Sequence, residues 1–253
     1  MTHLFITLIV FVCVFGSALF GLYLRGVLPA HHLSDDSIGV VKLATGLIAT
    51  MAALVLGLLI SSAKNSFDTL NSELVHNSAN VISLDRALAH YGSQAQEIRD
   101  LLKKSYGQQV QMLASGDPSQ RVILGGPKAV IRAEEVQRKL EDLSPTNAEQ
   151  HQLQARAIQL ADEILAVRWL ALLQAESSTP IPLLIALVLW LSIIFGAFGL
   201  FAPFNGTVIA TLFLGALSTS GAIFLIEEMS TPLDGMIGLS IAPMHAAFAL
   251  LGQ

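Results

Sequence analysis

Ser177–Ile226 reads SSTPIPLLIALVLWLSIIFGAFGLFAPFNGTVIATLFLGALSTSGAIFLI, 50 residues with no charged side chain and no histidine. A helix needs about 20 apolar residues to cross about 30 Å of hydrocarbon. The stretch is therefore too long for one span and right for two. Ala202-Pro203-Phe204-Asn205-Gly206 lies in its middle, and proline and Asn-Gly are strong breakers. The reading is a helical hairpin over Ile181–Ala202 and Thr207–Ile226.

Two more uncharged runs of 21 residues, Leu4–Leu24 and Leu43–Ala63, lie upstream. The first follows Met1-Thr2-His3, which lacks a basic flank, and it exceeds a signal-peptide core, so a membrane helix is expected there. The fold class that follows is an all-α integral membrane protein. It has four transmembrane helices and an extramembrane helical bundle or coiled-coil region between spans 2 and 3. The expected organisation is 1–63 for spans 1 and 2, 64–178 for the soluble helical region, 179–228 for the hairpin and 229–253 for a C-terminal tail.

Composition agrees. Of the 253 residues, 53% are hydrophobic and only 13% charged, against about 25% charged in soluble domains. The mean hydropathy is +0.62. Of 33 charged residues, 26 lie between Lys64 and Ser178. This excludes an ordinary soluble enzyme and a disordered chain. A net charge of −5 argues against a nucleic-acid partner. The single cysteine, Cys13, can form neither an internal disulfide nor a thiolate metal site.

Four spans place the N-terminus, the 64–178 region and the C-terminus on one side. Near the membrane Lys64 and Arg168 nearly balance Arg25 and Lys42, and long regions cross regardless of charge. A cytoplasmic soluble region is the expectation.

Within that region Phe67, Leu70, Leu74, Val81, Leu84, Leu88 and Tyr91 make one helical face. No breaker separates Ser61 from Ala89, so span 2 is expected to run on into this helix. Gly92 ends it. Ser93 and Gln96 are spaced as a capping box for the next helix, whose stripe is Ile98, Leu101, Leu102 and Val110. A loop is expected over Asp117–Lys128 and a helix over Lys128–Leu143. Ser144-Pro145 then fits the start of a long helix marked by Leu153, Leu160, Ile164, Leu165, Leu172 and Leu173. The tail Gly235–Gln253 is too short to span a bilayer, so it should pack on the bundle or lie at the interface.

Three sets of residues are candidate sites. Lys42, Gly46, Thr50, Ala53, Gly57 and Ser61 form a small or polar stripe on span 2. Such a stripe packs helices closely or lines a narrow pore, and a lysine at its mouth suits an anion path. The plainer readings are packing for the stripe and snorkelling for Lys42. Leu47, Leu54 and Leu58 read as the opposite stripe. On span 4, Thr207, Thr211, Gly215, Ser218 and Ala222 read as a second packing seam. Glu227 and Glu228 end that span against the helix dipole. With Asp234 they form a candidate acidic cluster, the plainer reading being solvated interfacial acids.

His31, His32, Asp35 and Asp36 are metal-type ligands in one loop. The plainer reading there is a loop that caps the next helix, with Asp35, Asp36 or Ser37 as N-cap. No phosphate loop, H-E-x-x-H, G-x-S-x-G or Cys-His pair occurs, so neither an enzyme nor a cofactor is expected.

The segments His31–Leu59 (HHLSDDSIGVVKLATGLIATMAALVLGLL), Leu84–Leu102 (LDRALAHYGSQAQEIRDLL) and Gly196–Ser240 together resemble the bestrophin-like domain family of bacterial membrane proteins. One departure is that Ser230-Thr231-Pro232-Leu233-Asp234-Gly235 replaces an acidic-basic-Pro-Phe-x-Gly pattern. The family's remote kinship to bestrophins, which are pentameric anion channels, implies a multi-pass protein of the bacterial inner membrane. It implies membrane lipid, inorganic ions and copies of itself, up to a pentamer, as partners. The expected function is a homo-oligomeric ion channel, conducting anions. The alternative is a membrane-anchored scaffold or sensor whose helical region binds a protein.

Overall fold

The computed structural model describes residues 2–29, 34–114, 127–175, 181–230 and 239–253. These are almost wholly helical, with no strand among them. In chain order the helices are α1 (Thr2–Val27), α2 (Asp35–Tyr91), α3 (Gln96–Ala114), α4 (Pro127–Glu141), α5 (Ala148–Ala175), α6 (Ile181–Phe201), α7 (Gly206–Ser230) and α8 (Ala242–Leu250). Helices α1, α2, α6 and α7 are long and apolar enough to cross a membrane. The protein is an all-α membrane protein.

Two compact units divide the chain: Met1–Phe67 with Ser178–Ile237, and Asp68–Ser177 with Gly238–Gln253. The membrane unit buries one face of each helix: Val10, Val14, Ala18 and Leu22 of α1; Ala52, Leu59 and Ala63 of α2; Leu187 and Leu191 of α6; Ala216 and Ile223 of α7. Only 17% to 28% of each apolar window is buried. Phe5, Leu43, Leu54 and Leu214 are more than half exposed. An apolar surface of that extent requires hydrocarbon around it rather than water.

Contacts within this unit fix its topology. The Arg25 guanidinium donates to the Phe201 carbonyl at 2.6 Å, so the C-terminal ends of α1 and α6 meet and the two helices run parallel. His3 of α1 lies 3.8 Å from Glu227 of α7, so α7 returns to the starting end. Asn205 makes that return: its Oδ1 accepts from the Val208 amide at 2.8 Å, an N-cap on α7.

The tightest seam is one that periodicity had not singled out. It joins α1 to α6, not α2 or α7 to a neighbour. A Cβ on Gly21 would run into the Gly196 carbonyl, and one on Gly199 into that of Ala18. Ser17, Ala18 and Gly21 thus face Gly196 and Gly199 with backbone against backbone, the geometry small residues permit in lipid. Phe11, Phe15 and Phe213 fill the adjoining space with ring centroids 5.4–5.6 Å apart. On α7, Thr207, Thr211 and Ser218 are exposed, and only Gly215 and Ala222 are partly covered. The seam expected there is carried instead by Leu212, Ala216, Ile223 and Ile226.

Helix α2 is continuous over 57 residues, as the absence of breakers requires. Its N-cap is Ser34, one residue before the expected set: the Ser34 hydroxyl faces the Ser37 amide at 3.4 Å. Asp35 and Asp36 occupy the first turn, where carboxylates favour the dipole. Gly92 ends α2 at φ 115°, a conformation costly for any side chain. The chain then enters α3 through a 3-10 turn, Ser93–Ala95. The expected capping box gives way to Gln96 donating to Asp100 at 3.1 Å. The start of α5 also differs from Ser144-Pro145. Asn147 Oδ1 accepts from the Gln150 amide at 2.8 Å, and Gln150 Oε1 accepts from the Thr146 amide at 2.8 Å. This is a reciprocal cap three residues later.

The second unit is a helical bundle with its own core, not an open stalk. Val81, Leu84, Leu88 and Tyr91 meet Ile98, Leu102, Tyr106 and Val110 of α3, Leu140 of α4 and Leu160 of α5. The tail joins this core: Met244, Ala247 and Leu251 are at most 4% exposed. Asp85, 1% exposed, accepts two bonds from Arg99, at 2.9 and 3.0 Å, and one from the Gly252 amide at 3.2 Å. Arg86 donates to the Gln253 main-chain oxygen at 2.9 Å. Burial alone would raise the Asp85 pKa. The Arg99 and Gly252 bonds and the charges of Arg99 and Arg86 outweigh it and hold the carboxyl below its ordinary value.

Candidate functional site

Lys42, Gly46, Thr50, Ala53, Gly57 and Ser61 are all exposed on α2. At 100° per residue they cover roughly 100° of the helix. The face α2 turns to its own chain holds Thr45, Ala52, Leu59 and Ala63, roughly 130° away. A Cβ added at Gly46 or Gly57 would meet nothing within 4 Å. The glycines of the stripe therefore make no close packing within the described chain. Leu47, Leu54 and Leu58 are exposed too, but they lie about 90° from the stripe rather than opposite it. The outward surface of α2 is a narrow small-residue face bordered by bulky leucines.

The polar groups of the stripe are few. Thr50 Oγ1 donates to the Leu47 carbonyl at 2.7 Å. The Lys42 side chain is exposed near the N-terminal end of α2. The other end of the membrane unit carries the acids. Glu228 is 2% exposed, and the Glu227 side chain, 13% exposed, lies 3.8 Å from His3 Nδ1. They are thus covered, not solvated. An ionisable group within a membrane unit is a functional candidate. The neighbour His3 carried no periodic signal in the sequence, and only the fold brings it to Glu227. Asp234 lies outside the described residues.

His31 and His32 also lie outside the described residues. Asp35 and Asp36 are exposed in the first turn of α2. Among the described residues no three His, Cys, Asp or Glu side chains gather as metal ligands would.

One family match takes in most of α1, all of α2 to α7 and the start of α8. The bestrophin-like domain covers residues 10–244. Comparison with curated proteins and with solved structures finds no match. With four apolar helices and a match over most of its length, the chain belongs to the bestrophin-like domain family.

Proposed function

We infer that the protein is a homo-oligomeric ion channel of a bacterial inner membrane, conducting anions, with its helical bundle in the cytoplasm. The observation that carries this reading is the uncovered α2 stripe. Six small or polar residues, Lys42 to Ser61, face away from the rest of their own chain in a helix whose other exposed side chains are mostly bulky and apolar, such as Leu43, Leu47, Met51, Leu54 and Leu58. One four-helix unit cannot enclose a wide path, so the stripe works as a pore wall only when copies stand around an axis. Lys42 then sits at one mouth and attracts anions. Membership of a channel-related family supports the reading.

The test is ion flux through liposomes holding the purified protein. Halide flux exceeding potassium flux, and reversed in preference by Lys42→Glu, is expected. Protein-independent flux, or a selectivity indifferent to Lys42, overturns it. A second reading, a membrane-anchored scaffold, is favoured by the bundle's closed core, which can present a surface to a protein partner. It predicts no flux and α2 facing lipid.

A further inference from the structure

We propose that the groove between α3 and α8 binds a nucleoside phosphate. The groove is an open surface depression of about 340 Å³, a volume within the range of small-molecule sites. Its features are of three kinds. The first is aromatic. Phe248 packs on Gly107 so closely that a Cβ there would stand 2.7 Å from its ring. The residue nevertheless remains 36% exposed, so part of its side chain is open to the groove.

The second is cationic. Lys103 and Lys104 both line the groove. Among the described residues, neither has a carboxylate within ion-pair distance. Lys103 lies along the tail, its Nζ 3.2 Å from where a Gly252 Cβ would be, so its ammonium stands beside the C-terminal residues. The third is polar. Asp100 is turned to Gln96, and Gln111 offers an amide that both donates and accepts. Lysines suit phosphate oxygens, an aromatic face suits a base, and an amide suits its edge. A simple anion would use the lysines and leave the ring unused.

The inference does not depend on ion conduction. Its test is titration calorimetry on the full chain in detergent, with ATP and inorganic triphosphate as probes. Saturable ATP binding is expected, with triphosphate at least about tenfold weaker. Phe248→Leu should weaken ATP about tenfold and leave triphosphate unchanged. Lys104→Gln should weaken both. Lys104 is exposed and has no ion-pair partner among the described residues, so this variant tests the site even where Phe248→Leu fails to fold. No saturable binding, equal binding of the two probes, or ATP binding indifferent to Lys104→Gln overturns the proposal.

Discussion

Asp85→Ala should loosen the whole bundle. The carboxylate is buried and takes three hydrogen bonds, two from Arg99 and one from the Gly252 amide. Removing one partner of a buried ion pair costs about 3–5 kcal/mol because the other charge is stranded. The Arg99 side chain is 12% exposed, and it also reaches Gln253 at 3.4 Å. Its stranding is therefore partial, and about 3 kcal/mol is expected. The unit holds about 126 residues. At about 2.1 cal/mol/K of unfolding entropy per residue, its Tm should fall by about 10 °C. The assay is thermal proteolysis of the full protein in detergent, with hydrogen exchange read at the α8 amides. Protection of α8 should drop first, because the Gly252 anchor is lost. Asp85→Leu combined with Arg99→Met should recover much of the loss, since an apolar pair strands no charge. A single variant melting within about 2 °C of wild type, with α8 still protected, refutes the reasoning.

Acidification should reach the same pair. Asp85 has a depressed folded pKa, so it adds stability above its unfolded pKa near 3.9 and loses it as pH falls through the folded value. Urea melts of wild type below about pH 4 should show this loss, and Asp85→Ala should lack that component. Gly199→Ala should drive a methyl into the Ala18 carbonyl and destabilise the membrane unit by about 1–3 kcal/mol. Gly16→Ala, with open space around it, should be near neutral in the same detergent-unfolding assay. Gly57→Leu should leave the subunit folded but change the oligomer seen by native mass spectrometry. An unaltered oligomer removes Gly57 from the interface. Asn147→Ala should cost about 1 kcal/mol as a lost cap, measured by urea unfolding.

Charge-free length made the four spans readable, and the breakers at Ala202–Gly206 placed the hairpin turn to within a residue or two. The continuity of α2 followed from the absence of glycine and proline between Leu58 and Tyr91. Caps were harder to read. Ser34 and Asn147 each sit among several competent hydroxyl, carboxylate and amide residues, and only backbone geometry selects one. The α1–α6 seam was overlooked because its signal is short. Ala18, Gly21, Gly196 and Gly199 carry little periodicity, and small residues recur on every span. What distinguishes this set is two helices meeting at one depth, which is a tertiary fact. The α2 stripe was legible as a stripe, but nothing in the sequence told its inward side from its outward one. The role of the tail as core rather than periphery was legible only as one of two outcomes.

The glycine seam also restricts how the membrane unit can move. Where α1 and α6 touch through backbone atoms, no rotamer stands between them to yield, and a small shift in register brings carbonyls into collision. Parallel alignment and the Arg25 clamp at Phe201 remove sliding and splaying as easy motions. The pair therefore behaves as a stator. Helix α2 meets the unit through a mixed face, with Thr45, Ala52 and Ala63 beside Ile48, Val55 and Leu59, and no glycine of its stripe touches a neighbour. Any change of state of this membrane unit would therefore be measured against the α1–α6 frame, since that pair has the least room to shift.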